Sequence, residues 1–168
     1  ARDMLGFDWW AQFLANRGYA ILQPNFRGST GYGKAFMEKG FGQWGRAMQD
    51  DLTDGVQWLA REGTVDSKRV CIAGGSYGGY AALMGAIQTP ELYRCAISWA
   101  GVTDLDAMMQ YDKSQLLPMR YRRWRERVRG EHPQDLDDVS PVKLAGKVAI
   151  PVLVMHGDGG NGAGMRSY

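Results

Sequence analysis

The sequence predicts an α/β fold, a mostly parallel sheet with helices on both faces. Three observations predict it. Helical and extended patterns alternate along the chain, the extended segments are nearly continuous apolar runs, and glycines gather at the turns between them. A strand buried on both faces has no solvent side to mark with polar residues, so it loses the in-and-out alternation of a half-exposed sheet. At 168 residues the chain is one domain at most.

Phe7, Trp10, Ala11 and Leu14 recur at helical spacing, and Asn16-Arg17-Gly18 supplies a stop, which predicts a first helix over 7–17. Tyr19 to Gln23 reads as a short strand ended by Pro24, followed by a polar, glycine-rich loop from Asn25 to Gly33. Met48, Leu52, Val56 and Leu59 form one apolar stripe, so Gln49 to Arg61 is a second helix. Arg69 to Gly74 is a second strand, and a helix from about Gly78 carries Tyr80, Leu83, Met84 and Ile87 and stops before Pro90. Cys95 to Ala100 and Ile150 to His156 are two more strands. Between them a polar insertion, about 104–147, breaks the alternation and is expected to be helical in parts. In such sheets ligands sit beyond the carboxyl ends of the strands, which directs attention to the loops after Gln23, Gly74, Ala100 and His156.

Composition narrows the function. Twenty Lys+Arg against 18 Asp+Glu leave a net charge of +2, so no global field draws the chain to nucleic acid or to an anionic membrane. The longest apolar run, Val148 to Met155, is broken by Pro151 and falls far short of the roughly 20 residues that span a bilayer. Cys71 and Cys95 fall within apolar strands, without the dense spacing of a disulfide framework. They are expected to be reduced, buried thiols on adjacent parallel strands, in keeping with a cytoplasmic location. No His, Cys or Asp cluster has metal-ligand spacing, and neither a metal nor a cofactor is expected. Asp50 and Asp51 suit the positive end of the helix they open.

The chemistry concentrates in Gly74-Gly75-Ser76-Tyr77-Gly78-Gly79-Tyr80, between an apolar strand and an amphipathic helix. This is G-x-S-x-G in the context of a nucleophile elbow. There a serine is held in a strained turn at the sheet edge, and glycines two positions either side avoid a clash where strand and helix cross. Ser76 is the candidate nucleophile. The helix behind it points free N–H groups at the reacting centre, and the Tyr77 backbone N–H is a candidate oxyanion donor. A phosphate cradle is the competing reading of a glycine-rich strand-to-helix turn, but it lacks the P-loop lysine and the dinucleotide glycine spacing.

Together with Asn25-Phe26-Arg27-Gly28-Ser29-Thr30-Gly31-Tyr32-Gly33, the Gln49-Asp50-Asp51 helix start, Ser140-Pro141 and Pro151 to Gly157, this motif resembles the catalytic α/β-hydrolase domain of the prolyl oligopeptidase family of serine peptidases. Acylaminoacyl and dipeptidyl peptidases are the nearest in flavour. The resemblance runs in order from the first helix to His156. It implies acyl transfer from a small peptide or acylated peptide to Ser76 and then to water.

Parts of the family's pattern are missing. The His-Gly-Gly-Pro-like oxyanion segment does not precede the first helix, and no histidine follows the last strand at the triad position. The triad acid's expected place, four residues after His156, holds Gly160. Asp158 is a substitute candidate acid. His156 and His132 are the only histidines, and they read as structural and as a solvated loop residue. The chain is therefore expected to be an incomplete peptidase domain, truncated at both ends and inactive alone. A carboxylesterase-type hydrolase and a non-catalytic protein of hydrolase fold remain as alternatives, because fold does not fix substrate.

Two weaker features complete the reading. Arg120, Arg122, Arg123, Arg125, Arg127 and Arg129 make a basic stretch whose charges are offset by Glu126, Glu131, Asp135, Asp137 and Asp138. It reads as an exposed helix, with one arginine as a candidate for binding a substrate carboxylate in the cleft. The tryptophans read as mostly core, with Trp99 a candidate lining of the substrate pocket.

Overall fold

A computed structural model describes residues 2–130 and 135–157. The first helix, α1 (Trp9–Ala15), is capped by Asp8, whose Oδ1 accepts a hydrogen bond from the Ala11 N–H at 2.8 Å. After it come α2 (Lys34–Glu38), α3 (Ala47–Arg61), β1 (Cys71–Gly75), α4 (Tyr77–Gln88) and β2 (Cys95–Trp99). The insertion supplies α5 (Leu105–Gln115), α6 (Pro118–Arg129) and two 3-10 turns, Asp137–Val139 and Pro141–Lys147, before β3 (Val152–Met155).

The three strands pair in parallel in the order β1-β2-β3. Their register sets Gly75 beside Trp99 and Trp99 beside Met155, so all three carboxyl ends fall on one line. The α4 crossover joins β1 to β2, which is how parallel neighbours must be connected. Helix α4 is apolar almost all round and is correspondingly buried from Gly79 to Ile87. It covers the sheet face that carries Ala96 and Ser98, both buried. The opposite face, with Cys71, Ala73 and Trp99, is exposed among the described residues.

The expected strand at 19–23 does not form. Tyr19, Ile21 and Leu22 are exposed, and no strand among the described residues lies alongside the segment. Strand structure is a pairing of backbone groups between neighbours, so apolar sequence alone does not create it.

The insertion is less peripheral than its polar composition suggests. Leu105, Met108, Met109, Val128, Leu136 and Val139 pack with Tyr80 and Met84 of α4 in one buried cluster. The Tyr80 hydroxyl donates to the Val139 carbonyl at 2.8 Å. Ser140, fully buried, donates to the Leu136 carbonyl at 2.7 Å and accepts from the Leu105 N–H at 3.0 Å. Those hydroxyls satisfy backbone groups that burial would otherwise leave unpaired.

Cys71 and Cys95 also require correction. They do sit on adjacent parallel strands, as direct register partners, but they form a disulfide with a Cα–Cα separation of 4.7 Å. Cys71 is exposed and Cys95 half-buried, because both project from the uncovered sheet face. Paired positions in a parallel register bring side chains on one face close enough to bridge. The premise for a reducing, cytoplasmic location is thereby removed. Among the described residues no helix is long and apolar enough to cross a membrane.

Candidate active site

Where β1 ends, the backbone turns sharply into α4, and Ser76 occupies the turn with φ 54° and ψ −117°. Apart from Ala100 (φ 49°), it is the only non-glycine residue with positive φ among those described. Such a conformation is unfavourable for a residue with a Cβ and persists only where its surroundings enforce it. Here two backbone bonds enforce it. The Ser76 N–H donates to the Trp99 carbonyl at 2.8 Å, which extends the β1–β2 ladder, and its carbonyl accepts from the Tyr80 N–H at 3.1 Å, which opens α4. Ser76 is exposed at the carboxyl edge of the sheet.

The glycine logic holds on one side only. A Cβ on Gly74 would overlap the Gly78 carbonyl carbon, whereas one on Gly78 would meet nothing within 4 Å. Gly79 is the second tight position, since its Cβ would lie 2.8 Å from the Gly101 Cα. Helix α4 thus rests against β1 through Gly74 and against the end of β2 through Gly79.

Tyr77 begins α4, and its N–H has no partner within the helix, as for any first-turn donor. The ring packs against Phe26 at 5.3 Å and Trp44 at 4.6 Å between centroids. Burial, with a smaller contribution from the Asp51 charge, pushes the Tyr77 hydroxyl well above its ordinary pKa and keeps it neutral.

In front of Ser76 opens a cleft of about 450 Å³. Phe26, Trp44, Tyr77, Met108 and Trp124 give it a largely apolar wall. Of the six arginines in the basic stretch only Arg127 lines it, together with Asp112 of α5. Arg129 instead forms an ion pair with Asp106, and Arg122 lies 3.8 Å from Glu126 on the outer surface. Trp99 does not line the cleft. It is half exposed and meets Trp10 edge-on at 6.3 Å. The tryptophans that line it are instead Trp44 and Trp124. No sequence signal distinguished these two from core tryptophans, because their place depends on how α6 packs beside the loop before α3.

The glycine-rich loop from Asn25 to Gly33, before α2, has its own anchor. Arg27 donates to Asp51 of α3 through Nη2 at 2.6 Å, Nε at 2.8 Å and its backbone N–H at 2.9 Å. Burial raises the Asp51 pKa, but hydrogen bonds from Arg27 outweigh it and hold the carboxyl below its ordinary range. Asp51 therefore does more than complement a helix end. The two residues are 24 apart in sequence, and no local pattern joins them.

His156 follows β3, one residue beyond Met155. Since β2 separates β1 from β3, its backbone stands about two strand spacings, ~10 Å, from Ser76. Asp158, Gly160 and His132 lie outside the described residues. Among those described, no group of three or more His, Cys, Asp or Glu is placed to hold a metal ion.

Known proteins share this fold. The chain is 48% identical over 109 residues to dipeptidyl aminopeptidase BIII of Pseudoxanthomonas mexicana, covering 65% of this chain and 16% of that protein. It is 36% identical to dipeptidyl peptidase family member 6 of Caenorhabditis elegans, covering 94% of this chain and 22% of the relative. Among solved structures, Pyrococcus horikoshii acylaminoacyl peptidase superposes with a TM-score of 0.72 at 27% identity, over 89% of this chain and 24% of that one. A puromycin hydrolase superposes at 0.66 with 32% identity, over 77% and 19%. The chain thus spans less than a quarter of the length of each of these proteins. The sequence profile of the prolyl oligopeptidase family matches residues 5–160, and the chain belongs to that family, with the α/β-hydrolase fold of its peptidases.

Proposed function

We propose that this chain carries the nucleophile and part of the substrate cleft of a serine peptidase acting on small or acylated peptides. The observation that carries the reading is Ser76, exposed in a strained strand-to-helix turn at the mouth of an apolar cleft. In the reaction the Ser76 Oγ attacks the scissile carbonyl, a base takes the hydroxyl proton, and the carbonyl oxygen becomes an oxyanion facing the Tyr77 N–H. The amine leaves with the proton, and water then cleaves the acyl-serine ester. His156 stands two strands away, so the base is assigned to another histidine of the intact protein. Asp158, two residues beyond His156, is the candidate acid to test first.

The test is covalent labelling of the intact protein with a fluorophosphonate probe, followed by peptide mapping. Label on Ser76, lost in Ser76→Ala together with amide hydrolysis by a factor of roughly 10³ or more, is the expected result. Label elsewhere, or amide turnover surviving the substitution, overturns the assignment. Rapid hydrolysis of p-nitrophenyl esters without amide cleavage would replace the peptidase with an esterase.

A further inference from the structure

The cleft beside Ser76 carries a carboxylate that nothing above uses. Asp112, on α5, is half-buried, and its Oδ2 accepts a hydrogen bond from the Trp124 indole N–H of α6 at 2.6 Å. That bond fixes the carboxylate in the cleft wall. Oδ1 has no hydrogen-bond partner, and Asp112 forms no ion pair, among the described residues.

Resting on the peptidase reading above, we propose that Asp112 determines specificity by selecting a substrate with a cationic side chain, lysine or arginine, in this cleft. A ligand side chain filling the cleft displaces water from Asp112. An apolar one would leave a partly buried carboxylate oxygen without a donor, which is costly. An ammonium or guanidinium supplies that donor as a charge-assisted bond. Its aliphatic stem packs on the apolar wall, and Trp44, Tyr77 and Trp124, which line the same cleft, can favour a cation through an aromatic face.

The cleft's other charges are Arg2, Asp3 and Arg127. The Arg2 guanidinium lies over the Tyr32 ring at 5.0 Å. Asp3 stands with it in the segment before α1, where its N–H donates to the Asn25 Oδ1 at 2.8 Å. Arg127 is exposed, so it stays hydrated when a ligand enters, and desolvation at its position asks for no partner. Burial therefore favours Asp112 over Arg127 as the selecting group.

The test uses tryptophan fluorescence of the intact protein, since Trp44 and Trp124 report occupancy of the cleft without any turnover. Acetyl-alanyl-lysine amide, the leucine amide and the glutamate amide are titrated into wild type and into Asp112→Asn, which keeps an acceptor for the Trp124 N–H. Wild type is expected to bind the lysine ligand about tenfold or more tighter than the leucine ligand. Asp112→Asn should abolish that preference without weakening the leucine ligand. Equal binding of lysine and leucine ligands overturns the proposal, as does a lysine preference that survives Asp112→Asn. Tightest binding of the glutamate ligand overturns it in favour of Arg127. Because binding is read directly, an absence of turnover would count against the peptidase reading while the ligand ranking still decides the role of Asp112.

Discussion

At the scale of single residues, the turn at Ser76 depends on what its glycines leave empty. Gly74→Ala places a methyl group against the Gly78 backbone, where no flexible side chain can give way. We expect it to destabilise the fold by about 1–3 kcal/mol, the usual cost of overpacking. Gly78→Ala meets nothing and replaces a helical glycine, so it should be neutral or stabilise by up to about 1 kcal/mol. Urea unfolding of the two variants checks the asymmetry; equal losses would show that α4 sits differently on β1. The motif in the sequence marks both positions alike, because G-x-S-x-G records permitted residue types. Which glycine is in contact depends on the angle at which the helix leaves the strand.

At the scale of elements, Arg27 and Asp51 hold the glycine-rich loop on α3. The folded carboxyl of Asp51 has a lowered pKa, against an unfolded value of about 3.9. Its contribution is therefore fully present above about pH 4 and is lost as the pH falls through the lower folded value. Asp51→Asn should lower the thermal midpoint at neutral pH and flatten its dependence on pH below about 4. An Asp51→Asn midpoint equal to that of wild type would mean that the pair is solvated and inert. The same scale explains the strand that failed to appear. Residues 19–23 have the composition of a strand and no neighbour among the described residues to pair with. The three helices read from periodicity, whose hydrogen bonds are internal, appeared as α1, α3 and α4.

For the molecule as a whole, the disulfide and the incomplete reach around Ser76 are the main features. Cys71–Cys95 closes a sequence separation of 24 residues around the crossover that contains Ser76. Thiol titration of the unreduced, denatured protein should find neither cysteine free, and Cys71→Ser should cost about 3 kcal/mol on loop-closure grounds. Two reactive thiols in protein purified under air would contradict the pairing. Expressed alone and shown to fold by circular dichroism, residues 1–168 should show no Ser76-dependent labelling. A serine hydroxyl is a weak nucleophile without an adjacent base, and β2 stands between Ser76 and His156. Labelling that vanishes in Ser76→Ala would mean that a histidine of this chain serves as base.

Apolar runs, helical periods and the spacing of G-x-S-x-G were enough, by themselves, to determine the three parallel strands that formed, the α4 crossover and the turn at Ser76. Each of these is written in local spacing, and spacing is what a sequence displays. Tertiary structure alone decided the rest. It paired Cys71 with Cys95, clamped Arg27 to Asp51, and brought Trp44, Asp112, Trp124 and Arg127 to one cleft. Those residues are distant in the chain or hidden within polar helices, and only the packing of α5 and α6 against α4 sets Asp112, Trp124 and Arg127 beside Ser76. Their chemistry depends on burial and on neighbours, and neither exists until the chain has folded.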